Sequence, residues 1–393
     1  MTYFEKHLSH LKPTHELIAI RVIIAAGLAA TTVGVSLYFV NLGLSNAQVG
    51  LFTGGVSLVT AILSLYFPLI LEKFNQLKLL IISTVLSGLA FTFFGLSDHL
   101  LLAMILFFGT YIATQISLNS LGILFKDSTR SKEEFSRDTG FLGSLANFSW
   151  IVGPFFGGLI LYHYGFSGLF LASGLLIIIG ALYALFFPFK TVTKIRRHFD
   201  SSLLKNLRFF ISKPGLRIAY IQRLGVSLWW AFLWTYLPIF MLNEGYSEST
   251  IGLFIALTQV PLFLLEFLTV RLVPKLGYRK IFVYSYGLLA LIGLFGFVLP
   301  NFTVVLGLIL LGSLSLSFLE PITELFFFEQ VSLLEEERAY PYYGTAFSAG
   351  RIIAKLGAGL ILVFFVEEAT FLFIGILMLL VMLTATKIKR QAA

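Results

Sequence analysis

Long apolar runs constrain this 393-residue chain more than any other feature. Runs of about 20 or more apolar residues recur along the whole sequence, and each is long enough to cross a bilayer as a helix. Lipid offers no hydrogen-bond partners to the backbone, so a spanning segment must satisfy its own polar groups, as an α-helix does. Only 12% of the residues are charged, against about 25% in an average soluble domain. The sequence therefore predicts an all-α membrane protein.

About twelve transmembrane helices are predicted, six on each side of a polar segment. Their approximate ranges are 17–40, 47–70, 78–97, 100–124, 139–163, 167–188, 216–242, 248–271, 280–299, 302–328, 340–365 and 367–386. We therefore predict an N-terminal six-helix bundle at residues 1–189, a cytoplasmic linker at 190–214 and a C-terminal six-helix bundle at 215–393. The linker residues Leu203 to Ile211 could be solvated, or could form a basic amphipathic helix on the membrane surface, which we favour.

Two matching stretches indicate that both halves of the chain share one fold. Residues 42–52 join the first two predicted helices, and residues 244–254 join the seventh and eighth. Gly43 matches Gly245, and the triplet at 50–52 matches the triplet at 252–254. The same register continues without a gap to place Arg21 on Arg223. Such repeats are typical of membrane transporters built from two pseudo-symmetric bundles.

Among the loops between the predicted helices, only alternate ones contain lysine or arginine. The basic loops contain Lys73 and Lys78, residues 126–137, the central linker, residues 271–280, Arg338 and residues 387–390. The positive-inside rule places these loops and both chain termini in the cytoplasm, in the plasma or inner membrane of a cell. The net charge of +8 therefore reflects membrane topology rather than nucleic-acid binding.

No catalytic or metal-binding pattern is found in the sequence. The chain has no cysteine, and we find no phosphate-binding glycine loop, histidine-rich metal cluster or nucleophile motif. We expect no cofactor, no metal and no enzymatic activity. The expected partners are a small-molecule substrate, protons and the lipid bilayer, and the expected oligomeric state is a monomer.

The loop between the second and third predicted helices resembles a motif of the major facilitator superfamily. That family has a pattern close to Gly-x-Leu-Ala-Asp-Arg-x-Gly-Arg-Arg there. In this chain Glu72 holds the place of the acid and Lys73 that of the base, while both glycines are absent. The second copy, residues 273–280, keeps a glycine and a basic pair. The resemblance implies a twelve-helix transporter whose motif residues latch helices in one conformation.

The fifth predicted helix carries a second resemblance. Gly140, Ser149, Gly153-Pro154 and Gly157-Gly158 are similar to the family's antiporter motif, Gly-x8-Gly-x3-Gly-Pro-x2-Gly-Gly, with Ser149 in place of one glycine. Glycines four residues apart present a flat face to a neighbouring helix, and Pro154 can bend the helix. The motif implies export by antiport. The fourth helix, however, lacks the arginine of the family's drug antiporters.

Ionisable residues within the predicted spans are concentrated in the second half. Glu266 lies on the eighth helix, Glu320 and Glu324 on the tenth, and Arg351 and Lys355 on the eleventh. A charge at the bilayer centre costs at least about 2.5–3.5 kcal/mol, so each is a candidate for function. We predict that Glu320, supported by Glu266 or Glu324, takes up and releases a proton opposite Arg351. The alternative is a permanent ion pair that fastens the three helices.

Other polar residues are candidates for substrate binding. Gln115 and Asn119 are polar positions of the fourth helix. Trp230 and Trp234 share a face of the seventh helix and could stack on a sugar or a flat aromatic ligand, or simply pack against lipid. Arg351 and Lys355 would also permit an anionic substrate. By contrast, we expect Arg21 and Arg223 to extend towards the cytoplasmic surface, because both lie about one turn inside their helices.

The sequence predicts a proton-coupled secondary transporter that works by alternating access, with export slightly favoured over import. Carboxylates on the eighth and tenth helices with a cation on the eleventh also resemble the sugar–proton symporters of the same family. A proton symporter for a sugar or organic anion is therefore the first alternative. The second is a non-transporting or lipid-handling protein built on the same scaffold.

Overall fold

The computed structural model of the chain describes residues 13–64, 73–129, 132–186 and 203–388, and within these ranges it contains helices and no strand. The helices are α1 Pro13–Asn41, α2 Asn46–Ser64, α3 Gln76–Gly95, α4 Leu100–Ser128, α5 Lys132–Phe186, α6 Leu203–Ser212, α7 Pro214–Asn243, α8 Glu248–Val270, α9 Val273–Leu276, α10 Tyr278–Val298, α11 Phe302–Glu329, α12 Leu333–Phe364 and α13 Glu368–Ala385.

Eleven helices of the described ranges are long and apolar enough to cross a membrane. One of them, α5, has 55 residues and is interrupted at Gly165, whose φ of 69° and ψ of −172° are not helical. Glycine adopts a positive φ more readily than any other residue. The break separates the predicted fifth and sixth spans, so the prediction of about twelve transmembrane helices is confirmed.

The repeated turn has the same backbone geometry in both halves. Gly43 has a φ of 97° and Gly245 a φ of 83°. The amide of Gly43 donates to the carbonyl of Val40 at 2.9 Å, and that of Gly245 to the carbonyl of Leu242 at 2.9 Å. The residue after each glycine donates to the carbonyl five residues before it, at 3.0 Å in both turns. This pattern is a Schellman motif, which ends a helix on a left-handed glycine.

Packing divides the chain into two compact units. Unit 1 holds the described residues within Met1–Tyr38, Ile62–Phe199 and Glu248–Ala256, and unit 2 those within Phe39–Ala61, Asp200–Ser247 and Leu257–Ala393. Most of α2 therefore packs in unit 2, and the first turns of α8 pack in unit 1. The predicted bundle boundaries at 189 and 215 stay a prediction, because this division follows contacts rather than chain order.

Unit 1 is built around an apolar cluster shared by α1, α3, α4 and α5. Its buried members are Leu17, Ile18, Ile20, Ile24, Leu80, Leu121, Leu124, Phe125 and Ala184. Helices α3 and α4 are also joined by two hydroxyl pairs, the buried pair Thr84 and Ser117 at 2.6 Å and the partly buried pair Ser87 and Thr114 at 2.7 Å. Hydrogen bonds of this kind hold two transmembrane helices together when the rest of their surfaces is apolar.

Unit 2 is organised around α7. In an apolar 18-residue stretch of α7, 89% of the residues are buried, whereas 28% are buried in the comparable stretch of α12. Helix α7 is therefore central, and α12 keeps an exposed side. The short helix α6 is held against α12 by Arg338, which lies 4.1 Å from the ring centroid of Phe209 and donates to Asn206 Oδ1 at 2.6 Å. Lys213 adds an ion pair to Glu335 at 2.6 Å.

Candidate functional site

Ionisable and aromatic side chains meet in unit 2 where α7, α11 and α12 pack together. Arg223 of α7 interacts electrostatically with Glu320 and Glu324 of α11 and with Tyr340 and Tyr343 of α12. Glu324 also accepts a hydrogen bond from the Tyr340 hydroxyl at 3.0 Å. We call these five residues, together with Phe347 and Arg351, the α7–α11–α12 cluster.

Phe347 links two cations of this cluster. The guanidinium carbon of Arg223 lies 5.7 Å from its ring centroid, and that of Arg351 lies 5.5 Å from it. Both distances fall within the range of a cation–π interaction, about 6 Å. The arrangement brings Arg223 and the predicted site residue Arg351 to one aromatic ring.

The position of Phe347 follows from close packing of α12 on α7. Ser227 Oγ donates to the Phe347 carbonyl at 2.5 Å. A Cβ at Gly350 would lie 2.6 Å from the carbonyl oxygen of Leu224, a distance that real Cβ atoms do not tolerate. The absence of a side chain at Gly350 therefore lets the two backbones approach and presents Phe347 and Arg351, one helical turn apart, on one side of α12.

The predicted proton-binding residues lie at different places in this arrangement. Glu320 is partly buried, about nine residues or 13–14 Å from the end of α11 at Glu329. Glu324 lies one turn nearer that end. Glu266 belongs to α8, but its side chain lies outside the described part of the structure. The pairing of Glu320 with Arg351 stays a prediction.

Lys355 is the most buried cation in the described part of unit 2. Its side chain is 8% exposed, and its charge interacts with that of Arg351. Its backbone carbonyl accepts a hydrogen bond from the Tyr236 hydroxyl of α7 at 2.6 Å. Lys355 and Arg351 therefore share a helix face, as the sequence predicts for residues four apart.

Helix α2 packs against this part of α7 and α12 through glycines. A Cβ at Gly50 would lie 1.7 Å from the Tyr236 hydroxyl oxygen, and one at Gly54 would lie 2.6 Å from the Leu356 side chain. On α12, a Cβ at Gly359 would lie 3.0 Å from the Leu51 amide nitrogen. The close approach of α2 to Lys355 and Tyr236 therefore depends on small residues from both sides.

Glu367 joins the ends of three helices of unit 2. Its Oε1 accepts hydrogen bonds from the side-chain amides of Asn46 at the start of α2 and Asn243 at the end of α7, both at 2.7 Å. Burial raises the pKa of the Glu367 carboxyl, and the charges of Glu368 and Glu244 act in the same direction, whereas the two asparagine hydrogen bonds lower it. The net pKa is raised.

The glycines of the predicted antiporter motif are helix contacts within unit 1. A Cβ at Gly153 would lie 2.6 Å from Cβ of Ala29, and one at Gly157 would lie 2.5 Å from the carbonyl oxygen of Ala30, so both face α1. Gly158 faces the first turns of α8, where its Cβ would lie 2.7 Å from Cα of Gly252. The Pro154 carbonyl oxygen lies on the same side, 2.5 Å from a Cβ built at Gly252.

The remaining predicted site residues are dispersed. Trp230 is 3% exposed and stacks on Trp234 with ring centroids 5.2 Å apart. On α4, Gln115 is half-buried and Asn119 is exposed. Lys73 is exposed, and Glu72 lies outside the described residues.

Sequence reasoning missed Arg223 as a member of the site. It was expected to extend to the membrane surface, which stays a prediction, and the structure adds contacts that were not foreseen, with Phe347 and with two carboxylates. Tyr340, Tyr343 and Phe347 were missed with it. The available signal was the position of Arg223 inside an apolar span, where an arginine needs partners if it does not reach water.

Comparison with known proteins identifies the family. The family model of the Major Facilitator Superfamily matches residues 17–246 and 219–391. The chain therefore belongs to the major facilitator superfamily, whose members are membrane transporters, and it has their fold. An uncharacterised MFS-type transporter of Methanocaldococcus jannaschii is 23% identical over 64% of this chain and 67% of its own length.

Solved transporters share the fold at low identity. The nucleoside transporter NupG superposes with a TM-score of 0.78 at 12% identity, covering 96% of this chain and 100% of its own. A bacterial homologue of the human lysosomal transporter Spinster gives a TM-score of 0.75 at 13% identity over 95% of both chains. A bacterial homologue of the iron transporter ferroportin gives 0.70 at 17% identity, covering 96% of this chain and 97% of its own.

Proposed function

We propose that this chain is a proton-coupled secondary transporter that moves a small molecule by alternating access, with export favoured. The observation that carries the proposal is the α7–α11–α12 cluster: Arg223 interacts with both Glu320 and Glu324, and it shares Phe347 with Arg351. Ionisable groups inside a membrane are costly and mark ion or substrate pathways. The similar solved structures include a nucleoside transporter and a homologue of an iron transporter, so the fold alone selects no substrate.

The cluster offers a physical route for coupling. A nearby guanidinium favours the charged form of a carboxyl group, whereas burial away from a cation favours the protonated form. If α11 moves relative to α7 and α12 during the transport cycle, Glu320 and Glu324 exchange one environment for the other. Proton binding then follows the conformation, and Glu266 is the third candidate for the same role.

Substrate enters this scheme through the cations. A substrate that contacts Arg351 or Lys355 competes with the carboxylates for them, and its binding then favours proton uptake by Glu320 or Glu324. The polar side of α4 with Gln115 and Asn119, and the stacked pair Trp230 and Trp234, are the other candidates for contact with substrate. The second candidate function is a proton symporter for a sugar or organic anion, which could use the same residues. The two cations Arg351 and Lys355 support this candidate because they could bind an anionic substrate.

The test uses purified protein in liposomes with an imposed pH gradient. Uptake or release of each compound in a panel of nucleosides, sugars and organic acids is measured. The internal pH of the liposomes is followed at the same time with a trapped fluorescent dye. We expect transport of at least one compound to depend on the gradient, and Glu320→Gln and Glu324→Gln to lose most of the gradient-driven component while retaining exchange of substrate across the membrane.

Glu336→Gln is the matched control, because Glu336 lies in the first turn of α12 outside the membrane-spanning part. It should behave as the parent protein does. Full gradient-driven transport by both Glu320→Gln and Glu324→Gln would remove proton coupling from the cluster. The sign of the coupled proton movement decides between export by antiport and symport.

A further inference from the structure

The short helix α6 lies where two membrane-spanning stretches of unit 2 begin. The apolar stretch of α7 starts at Pro214, two residues after α6 ends, and that of α12 starts at Arg338. Arg338 is also the residue that holds α6, because it donates to Asn206 Oδ1 at 2.6 Å and to the Lys205 carbonyl at 3.2 Å. Helix α6 is therefore fixed at the level where the apolar stretches of α7 and α12 begin.

One face of α6 packs against α7 and α12. The Phe209 ring centroid lies 4.1 Å from the guanidinium carbon of Arg338. The buried Phe210 ring lies 6.1 Å from that of Tyr220 on α7 and 6.0 Å from that of Tyr342 on α12. These contacts fix the rotation of α6 about its own axis, so its other side is turned outward.

The outward side of α6 has an apolar stripe beside a basic one. Leu207 and Ile211, four residues apart on one helix face, are 38% and 51% exposed. Lys205 and Arg208 are exposed as well. Because an α-helix turns by about 100° per residue, Arg208 follows Ile211 around the helix, and Lys205 follows Arg208. We call these four residues the α6 outer surface.

The α6 outer surface matches the boundary between lipid headgroups and acyl chains. A helix with aliphatic residues on one side and basic residues beside them lies in this boundary, with its apolar side towards the acyl chains. The stems of lysine and arginine can follow the apolar layer while their charges reach the phosphates. The nearby acid of α12, Glu335, is bound by Lys213 at 2.6 Å. The charges of Lys205 and Arg208 therefore complement an anionic headgroup.

We propose that the α6 outer surface is a binding site for anionic phospholipids. Its two cations pair with phosphate oxygens, and its two aliphatic side chains pack against the first methylene groups of the acyl chains. Because Arg338 joins α6 to α12, bound lipid also stabilises the start of α12, the helix that carries Arg351. The positive-inside rule predicts this surface on the cytoplasmic side, where the anionic lipids of the leaflet attract basic segments. This inference does not depend on the transport mechanism proposed above.

The experiment measures lipid binding by the whole chain in neutral detergent. The unfolding temperature is followed as phosphatidylglycerol or phosphatidylcholine is added in mixed micelles. We expect phosphatidylglycerol to raise the unfolding temperature more than phosphatidylcholine does. Lys205→Gln combined with Arg208→Gln should increase the half-saturating concentration of phosphatidylglycerol by about 25-fold, since each basic residue near an anionic surface contributes about fivefold in affinity.

Matched variants separate this site from general charge effects. Arg271→Gln combined with Lys387→Gln removes two exposed cations from other loops of the same predicted side, and it should change the half-saturating concentration far less. Leu207→Ser combined with Ile211→Ser keeps both charges but removes the apolar stripe, and it should also weaken binding. The proposal is overturned if the α6 cation variant binds phosphatidylglycerol as the parent does, or loses no more affinity than the control.

Soluble ligands test other occupants of the α6 outer surface. Glycerol 1-phosphate and polyglutamate carry anionic groups without acyl chains, and neither should reproduce the effect of phosphatidylglycerol. Polyglutamate might instead stabilise the protein equally, with no loss in Leu207→Ser combined with Ile211→Ser. That result would assign the surface to an acidic protein segment and overturn the lipid site.

The link from α6 to α12 has its own measurement. Hydrogen–deuterium exchange in α6 and in the first turns of α12 is compared with and without phosphatidylglycerol. We expect lipid to slow exchange in both segments of the parent protein, and in α6 alone in Arg338→Gln. Unchanged exchange at the start of α12 in the parent, or equal protection there in Arg338→Gln, would overturn the effect of bound lipid on α12.

Discussion

At the scale of single residues, the arginines of the repeat show how one position acquires different surroundings. Arg21 and Arg223 occupy equivalent places in α1 and α7, yet among the residues that the structure describes only Arg223 interacts with carboxylates and tyrosines from neighbouring helices. A guanidinium within a membrane is tolerated when neighbours compensate its charge. The difference lies in residues on α11 and α12, which are distant from Arg223 in the chain.

Glu367 provides a prediction about pH. Because burial raises the pKa of this carboxyl above its ordinary value of 4.5, the folded state binds the proton more tightly than the unfolded state. The protein should therefore lose stability from this group as pH rises from about 4.5 through the raised pKa, and regain it as pH falls. The measurement is the apparent unfolding temperature of the purified protein across this range.

Glu367→Gln should remove this pH-dependent component. Glutamine keeps a carbonyl acceptor for Asn46 and Asn243 and carries no charge beside Glu244 and Glu368. We therefore expect the variant to be at least as stable as the parent at neutral pH. The explanation fails if the difference between the two proteins does not change with pH.

At the scale of helices, glycines determine which faces meet. Gly153 and Gly157 of α5 lie against α1, whereas Gly50 and Gly54 of α2 lie against α7 and α12. Without a hydrophobic driving force between lipid-embedded helices, close packing is a principal source of their association. Small residues at these points therefore stabilise the contacts directly.

Gly50 and Tyr236 give a test of this packing. Gly50→Ala should destabilise the protein, because the new Cβ would lie 1.7 Å from the Tyr236 hydroxyl oxygen and displace it from the Lys355 carbonyl. Overpacking of this kind costs about 1–3 kcal/mol. The double variant Gly50→Ala with Tyr236→Phe should recover part of the loss, since it removes the clashing oxygen.

The control for this pair is Gly55→Ala, where a Cβ would meet no atom within 4 Å. Unfolding temperature in detergent is measured for the parent protein, Gly50→Ala, Tyr236→Phe, their double variant and Gly55→Ala. Equal losses for Gly50→Ala and Gly55→Ala, or strictly additive effects of Gly50→Ala and Tyr236→Phe, would contradict the proposed contact.

At the scale of the whole molecule, the predicted topology can be tested directly. The chain has no cysteine, so single cysteines can be introduced without background labelling. Ser45 and Lys78 are both exposed, Ser45 between α1 and α2 and Lys78 in the first turn of α3. They lie at opposite ends of the second predicted span.

We expect a membrane-impermeant maleimide to label Ser45→Cys in intact cells and to label Lys78→Cys only after the membrane is opened. The positive-inside rule is the physical reason, because Lys73 and Lys78 belong to a basic loop while the loop at Ser45 has no lysine or arginine. The reverse labelling pattern would place both termini outside the cytoplasm.

The fold class was predictable from local physics. Runs of apolar residues must be helices in lipid whatever their neighbours are, so the spans, and the break near Gly165, could be located from the sequence. The turns at Gly43 and Gly245 were matched by pattern, and their hydrogen bonds have the same geometry. The family was predicted from resemblances to two motifs, and a family model matches most of the chain.

The site was predictable only in part. Ionisable residues in the spans of the second half could be named, because any charge in lipid is exceptional. Their partners could not be named, because the 3.6-residue period of a helix shows which side chains share a face but not which helix that face meets.

What the sequence alone determined is therefore the class of molecule: an all-helical membrane protein of the major facilitator superfamily with charges concentrated in its second half. Only the tertiary structure decided that Arg223 and Arg351 meet at Phe347, that Tyr236 reaches the Lys355 carbonyl beside Gly50, and that Glu367 joins Asn46 to Asn243. Helix formation in lipid is set by each segment's own composition. Contacts between helices are set by residues far apart in the chain, whose surfaces are compared only when the helices pack.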